Sequence, residues 1–461
     1  MPTKQKRRAS SLPVFKKYLR KLVLPSSSSA HPFITNNPII SATLTLTLFL
    51  RCLAPSPDNF GFVSELTSVN RISEGLHFAR IKDAVFVSKQ PPLLLLFYDF
   101  VLSNFPLRLF NAAVDALGSF ALAHLFRLNA AYEKLTEEST ERVMDSRTQP
   151  HKITAKIMDT DYALIIGTAY FANPISIAIG CSPSTQPLIQ LLIIISVVFS
   201  LRRNIPASMT ALSLSTYMIW WPLALLPSLL LTLGRPAVPQ EPHRPKLSPA
   251  NTAIFGLVIF TSALALLVLV SSYTISPSHP NNFEWPLCYY HWATFQDLTP
   301  NVGLYWYFFT QIFSRFRTYF VVIFNTLPGI LVAPILIRLK EIPTAATISL
   351  LALFNVLAPY PTFGNVTFSL LFMSTSPRTL VRLRFISVFC LIALPVPSIL
   401  MVVFWRMWAI EESGNGNYVY FQQLAYTIFA GLIALDFLSA SVSRVKALKI
   451  TRKPSSKVKQ S

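Results

Sequence analysis

Charged side chains are scarce in this sequence. Asp, Glu, Lys and Arg make up 13% of its 461 residues, about half the share of a soluble domain. The 52% of residues that are hydrophobic gather into repeated runs near membrane length. Together these features exclude an ordinary soluble core and predict an all-α polytopic membrane protein. Acids are the scarcer sign, 20 against 40 Lys and Arg. Residues 1–21 hold eight basic residues and no acid, residues 442–461 seven and no acid, and the loops 235–246 and 378–384 supply the rest of the excess. Basic tails and loops beside apolar runs follow the positive-inside rule, so the charge does not point to a nucleic-acid partner. No Lys or Arg occurs between Lys246 and Arg315.

Other absences narrow the chemistry. Cys52, Cys181, Cys288 and Cys390 are scattered and support neither a disulfide framework nor a metal site; Cys288-Tyr-Tyr-His291 is half of one at most. A positioned nucleophile and base are missing, since His291 near Cys288 has only Glu284 as a nearby acid. Asp159-Thr-Asp161 has the spacing of a metal–diphosphate clamp, but falls on the cytosolic side of the expected bundle. Nothing asks for a cofactor or a metal. There is no internal repeat of the transporter kind and no lipidation motif. No cleavable signal is expected either: the basic region runs through Lys21, PSSSSAHP follows, and no small-residue cleavage site comes after the first apolar run.

What is present predicts about 12 transmembrane helices with interfacial half-helices among them. They form one polytopic domain, 38–441, between a basic cytosolic arm, 1–37, and a basic cytosolic tail, 442–461. The expected spans are 39–54, 109–126, 161–180, 187–201, 205–220, 222–234, 250–273, 318–337, 342–358, 364–377, 385–408 and 420–441. Residues 92–104 and 301–313 read as interfacial helices, and Asn173-Pro174 as a helix break. Both termini then face the cytosol. RISEG (71–75), CSPST (181–185), DLTPN (297–301), YPTFG (360–364) and GNGN (414–417) share the luminal face.

The most distinctive stretch is DLTPNVGLYWYFF, residues 297–309. Asp297, Thr299 and Asn301 form a polar lip, and Tyr305, Trp306 and Tyr307 an aromatic ledge. With Asn415 and Asn417 they are the candidate lipid-headgroup site, because amides and hydroxyls bond sugars and phosphates while Trp and Tyr settle at interfaces. The same residues suit turns and caps, and Thr299-Pro300-Asn301 looks like a cap before a helix; both readings stand at this point. Asp115 and Asp436 fall inside expected spans, where an acid is expensive unless partnered, so each marks a site or a structural bond. Asn365-Val-Thr367 is a glycosylation sequon placed too near the bilayer for use.

These residues resemble the PIG-U family, the U subunit of GPI transamidase. The resemblance rests first on DLTPNVGLYWYFF with Phe313 and Arg315-Phe316 behind it. Arg71-x-x-Glu74-Gly75, Asn173-Pro174, Ser184-Thr185, Leu339-Lys340-Glu341, Tyr360-Pro361-Thr362-x-Gly364 and Asn415-x-Asn417 match in order, so that nearly the whole chain is covered. After Gly75 the chain departs, with LHFARIKDAVFVSKQPP where the family has a Pro-Tyr-containing segment; residues 76–90 are the divergent part. The resemblance implies a multi-pass protein of the endoplasmic reticulum membrane with a bundle similar to that of lipid-linked mannosyltransferases. It implies a non-catalytic subunit that recognises or presents the GPI lipid, or the attachment signal with it, beside other transamidase subunits that include a cysteine-protease-like catalytic chain. The competing class is a GPI-pathway mannosyltransferase using a dolichol-linked sugar, with Asp58, Glu65 or Glu74 as its acid.

Overall fold

The computed structural model describes residues 38–57, 60–80, 90–141, 160–235, 248–275, 286–294 and 298–452. The arm 1–37, residues 453–461 of the tail, and Asp58, Asp159, His279, Glu284 and Asp297 lie outside the described residues, as do residues 81–89 of the divergent loop. The chain divides into two compact units, Met1–Leu50 and Arg51–Ser461. The described part of the first, 38–50, is helical and belongs to α1 (Pro38–Leu53).

In the second unit the order is α2 (Val69–Arg80), α3 (Pro92–Asn104), α4 (Leu107–Glu141), α5 (Thr160–Ala172), α6 (Pro174–Cys181), α7 (Gln186–Leu201) and α8 (Ile205–Met218), then a 3-10 turn (Trp221–Leu225). It continues with α9 (Leu226–Leu233), α10 (Pro249–Ile275), α11 (Leu287–Thr294), α12 (Tyr305–Gln311), α13 (Ser314–Ile330), α14 (Val332–Leu339) and α15 (Pro343–Val356). Last come α16 (Phe363–Met373), α17 (Pro377–Leu380), α18 (Phe385–Ala393), α19 (Pro395–Ala409) and α20 (Gly416–Arg452). Among the described residues the one β feature is an antiparallel bridge between Ser68 and Ser184. Prolines open many of the helices: α3, α6, α7, α8, α9, α15, α17 and α19 have Pro in their first two positions, where the missing N–H is no loss.

Five of these segments are long and apolar enough to cross a membrane: Leu107–Glu137, Pro249–Thr274, Ser314–Leu339, Phe385–Ala409 and Gly416–Lys449. The pair Tyr162–Ala172 and Pro174–Cys181, bent by 46° at the expected break, makes a sixth. Asn173 shapes that bend by accepting from the backbone N–H of Ile175 at 2.9 Å and of Ser176 at 3.4 Å.

The centre is α15, in which thirteen of fourteen residues are buried, so it meets protein on all sides, including α9, α14, α16 and α20. Its Ala345, Ala346, Ser349 and Ala352 let neighbours approach closely. Hydroxyls tie helices together where apolar contact is not selective: Thr347 Oγ1 donates to Ser228 Oγ at 2.9 Å, Ser208 Oγ to the Ser196 carbonyl at 2.8 Å, and Ser213 Oγ to the Phe260 carbonyl at 3.0 Å.

The span placed at 109–126 continues as α4 to Glu141, because Tyr132 and Glu133 are buried. Glu133 receives Arg444 of α20 at 2.5 Å, Arg444 Nε reaches Glu137 at 3.2 Å, and Arg378 also pairs with Glu137. Both acids inside the expected spans are partnered too. Asp115 meets Arg51 at 2.5 Å and the Tyr170 hydroxyl at 3.2 Å. Asp436 accepts from the Arg384 N–H at 2.8 Å and the Ser387 hydroxyl at 2.6 Å.

Candidate functional site

The polar clusters predicted to share one face do meet at one end of the bundle. The Thr67 carbonyl accepts from Thr185 N–H at 2.9 Å and the Pro183 carbonyl from Val69 N–H at 2.8 Å, which joins the start of α2 to CSPST. The Gly61 carbonyl accepts from Phe363 N–H at 2.9 Å, joining the first loop to YPTFG. Gly61 has φ +78°, and a Cβ there would lie 2.3 Å from the Phe363 ring, so the close approach requires glycine. Glu65 is held by Arg71, whose Nε donates to it at 2.7 Å.

The lip is built on the loop before α12. Asn301 Oδ1 accepts from Gly303 N–H at 2.7 Å, a local Asx turn. This corrects the cap expectation: α12 starts at Tyr305 with Leu304 before it and no side-chain cap. A Cβ on Gly303 would meet Pro361 at 2.7 Å and the Pro359 carbonyl at 3.2 Å, so the turn packs against the 357–361 segment and delays the helix. Thr299 is exposed at its edge.

The three ledge aromatics have three different fates. Tyr305 stacks on Phe324 with centroids 4.2 Å apart, and its hydroxyl donates to the Leu357 carbonyl at 3.2 Å; burial pushes that phenol up to about 12. Trp306 is buried, its indole N–H donating to Gln423 Oε1 at 3.0 Å, while Gln423 Nε2 donates to the Asn301 carbonyl. Tyr307 stacks on Tyr420 at 4.1 Å and donates its hydroxyl to Asn417 Oδ1. Asn415 Oδ1 accepts from Asn417 N–H at 3.0 Å. Thus Asn301, Tyr305, Trp306, Tyr307, Asn415 and Asn417 form one connected lip, with exposed Asn415 and Asn417 at its outer rim.

Gln423 is the keystone that sequence reasoning missed. Its signal is the amide pair Gln422-Gln423 between apolar neighbours, Phe421 on one side and Leu424 and Ala425 on the other. Below the lip lies a second missed feature, a partly open cavity of about 60 Å³. Phe324 and the Ala358–Tyr360 segment line it, so the residues that carry Tyr305 are also its roof. Its remaining wall combines three tryptophans with the amides of Gln186, Gln190, Asn325, Asn355 and Asn365, and none of its lining residues is charged. The sequon falls here: Asn365 Oδ1 accepts from Gln186 Nε2 at 2.6 Å, and Thr367 is buried, which removes both from modification.

The Cys288–His291 pair is not an activated dyad. Cys288 is buried on α11, and burial pushes its thiol up to about 12, far from the thiolate a nucleophile needs. Among the described residues no group of three His, Cys, Asp or Glu could hold a metal ion.

The family model described as GPI transamidase subunit PIG-U matches residues 35–426. The GPI-anchor transamidase component PIGU of Mus musculus is 26% identical over 420 residues, 88% of this chain and 93% of the mouse protein. The component of that name from Homo sapiens is 26% identical over 421 residues, with the same coverage. The GPI transamidase component GAB1 of Saccharomyces cerevisiae is 24% identical over 380 residues, 81% of this chain and 85% of the yeast protein.

Proposed function

The chain belongs to the PIG-U family of GPI transamidase subunits, and from that membership we propose that it is a non-catalytic subunit of a GPI transamidase complex in the endoplasmic reticulum membrane. In this reading it recognises or presents the GPI lipid while another, cysteine-protease-like chain performs the transfer. The observation that carries the reading is the lip itself. Asn301, Trp306 and Gln423 lock together underneath, Tyr307 and Asn417 lock at the side, and polar groups of Thr299, Asn415 and Asn417 stay exposed above an aromatic base. Such a surface is suited to hold a headgroup at the membrane face. Asp297 completes the lip in this proposal.

The five long helices, the bent pair, the shorter apolar helices Ala42–Leu53, Gln186–Leu201, Trp221–Leu233, Pro343–Val356 and Phe363–Met373, and α8 support a bundle of twelve crossings over 38–441, with Pro92–Asn104 interfacial, similar to that of lipid-linked mannosyltransferases. Twelve crossings leave the arm 1–37 and the tail 442–461 in the cytosol and the lip in the lumen. Depleting the protein from cells tests its place in the complex. Loss of GPI attachment with complete GPI lipid accumulating is the expected result. Normal attachment sinks the proposal, and a truncated glycan instead of the complete lipid makes the protein a mannosyltransferase. Replacing Asn415 and Asn417 together by Ala tests the lip: attachment should fall while the subunit stays assembled.

A further inference from the structure

We propose that the cavity beneath the lip is a binding site for a neutral hexosyl group carried on a lipid. This deepens the reading above, because it states which part of a glycolipid the chain takes inside and which part it leaves at the rim.

The first argument is the wall. Trp220, Trp221 and Trp292 line the cavity, and Trp221 is held by stacking on Phe354 at 6.5 Å with 26° between the rings. Flat aromatic surfaces of this kind pack against the C–H face of a pyranose ring, an apolar body with polar edges. An acyl chain has no use for the polar atoms that share the wall.

The second argument is unmet hydrogen bonding. Asn325 donates its Nδ2 to the Ala293 carbonyl at 2.7 Å and leaves Oδ1 buried without a partner. Gln190 Oε1 receives the Tyr170 hydroxyl at 3.2 Å. Asn365 Oδ1 is taken by Gln186 and by Thr362, whose hydroxyl also donates to Gln186 Oε1 at 2.9 Å. The Nδ2 of Asn365 and the Nε2 of Gln190 make no hydrogen bond among the described residues. One buried acceptor without a partner, the Oδ1 of Asn325, therefore sits on the cavity wall beside the less enclosed amide groups of Asn365 and Gln190. Buried polar atoms are normally satisfied, and a sugar hydroxyl, donor and acceptor at once, satisfies both kinds.

The third argument is charge. No lining residue carries one. A phosphate or an ammonium drawn in here would lose its hydration without a counter-charge, which is far costlier than burying a hydrogen-bonded hydroxyl. The site selects the neutral saccharide and leaves phosphoryl groups outside.

The test uses the full chain in a sugar-free zwitterionic detergent, since glycoside detergents would compete. A photoreactive octyl α-mannoside is the probe, with unlabelled octyl α-mannoside and octyl phosphate as competitors. Labelling is expected on residues 186–190, 219–221 and 354–368, suppressed by the mannoside and not by the phosphate. Trp221→Ala and Gln190→Leu should each reduce labelling roughly tenfold, the equivalent of one good contact, while Trp221→Phe retains most of it. Gln190→Leu keeps the test decisive if Trp221→Ala fails to fold. Labelling confined to 298–309 and 415–417, equal competition by octyl phosphate, or unchanged labelling in both variants overturns the proposal. Competition by a GPI glycan fragment against a mannosyl-phosphoryl polyprenol then assigns the carrier. Because the chain is isolated, a negative result here leaves the subunit role intact, and a negative depletion result leaves the labelling intact.

Discussion

The two ends of α20 bury polar atoms with opposite chemistry. Where α20 begins, the bonds run between amides, an indole and phenols: Gln423 with Trp306 and Asn301, and Tyr307 with Asn417. Farther along the same helix, about 42 Å from Gly416 at 1.5 Å per residue, Arg444 meets Glu133 and Glu137, with Arg378 beside them. Buried ions need a complete partner set, and removing one member strands the other. Neutral amides cost less to expose and can exchange one partner for another. The ionic end therefore suits a fixed joint, and the amide end suits a surface that opens to a ligand.

The comparison breaks most visibly at the ionic end. Glu133→Ala leaves Arg444 without its closest carboxylate and should cost about 3–5 kcal/mol, read as the unfolding midpoint of the full chain in detergent. Glu133→Leu combined with Arg444→Met should recover much of that loss; a double variant as unstable as the single one means that the loss comes from packing and not from charge. At the amide end Gln423→Leu strands the Trp306 indole and the Asn301 carbonyl, for an expected loss of about 2–3 kcal/mol, with GPI attachment falling alongside. An unchanged midpoint would remove Gln423 from the centre of the lip.

The sequence showed the outline of both ends but not their joints. Apolar runs, Pro positions and the Asn173-Pro174 break are local signals, and the helices follow them. Pairings set by packing leave no local trace: Glu133 and Arg444 lie 311 residues apart, and Arg51 and Asp115 lie 64 apart. Nothing in the pattern of the aromatic switch in 297–309 told Trp306, which is 3% exposed, from Tyr307 beside it. That difference is set by Gln423, which reaches the lip from α20. Asn301 misled as a cap because the amide that would close a helix start also closes an Asx turn, and contact with Pro359 and Pro361 decided between them.

Two finer tests sharpen the contrast. Tyr307→Phe keeps the stack on Tyr420 and removes one hydrogen bond to Asn417, for about 1 kcal/mol; a loss as large as that of Gln423→Leu would make the rim as rigid as the base. The smallest effect at neutral pH belongs to Cys288. Its thiol rises on folding from an ordinary value of 9.0 to about 12, so the folded state holds a proton that the unfolded state releases first. The stability tied to that proton is complete below about 9 and is lost as pH climbs toward 12. At pH 8 maleimide should leave Cys288 unlabelled until the protein is denatured; rapid labelling would show that α11 opens.

At 1.5 Å per residue α4 is about 52 Å long and α20 about 55 Å, against a hydrocarbon thickness of about 30 Å. Two rods of that length, riveted at Glu133 and Arg444, cannot be shortened to match a thinner membrane. Their joint fixes the register of one rod against the other, and with it the distance along α20 from that joint to the lip.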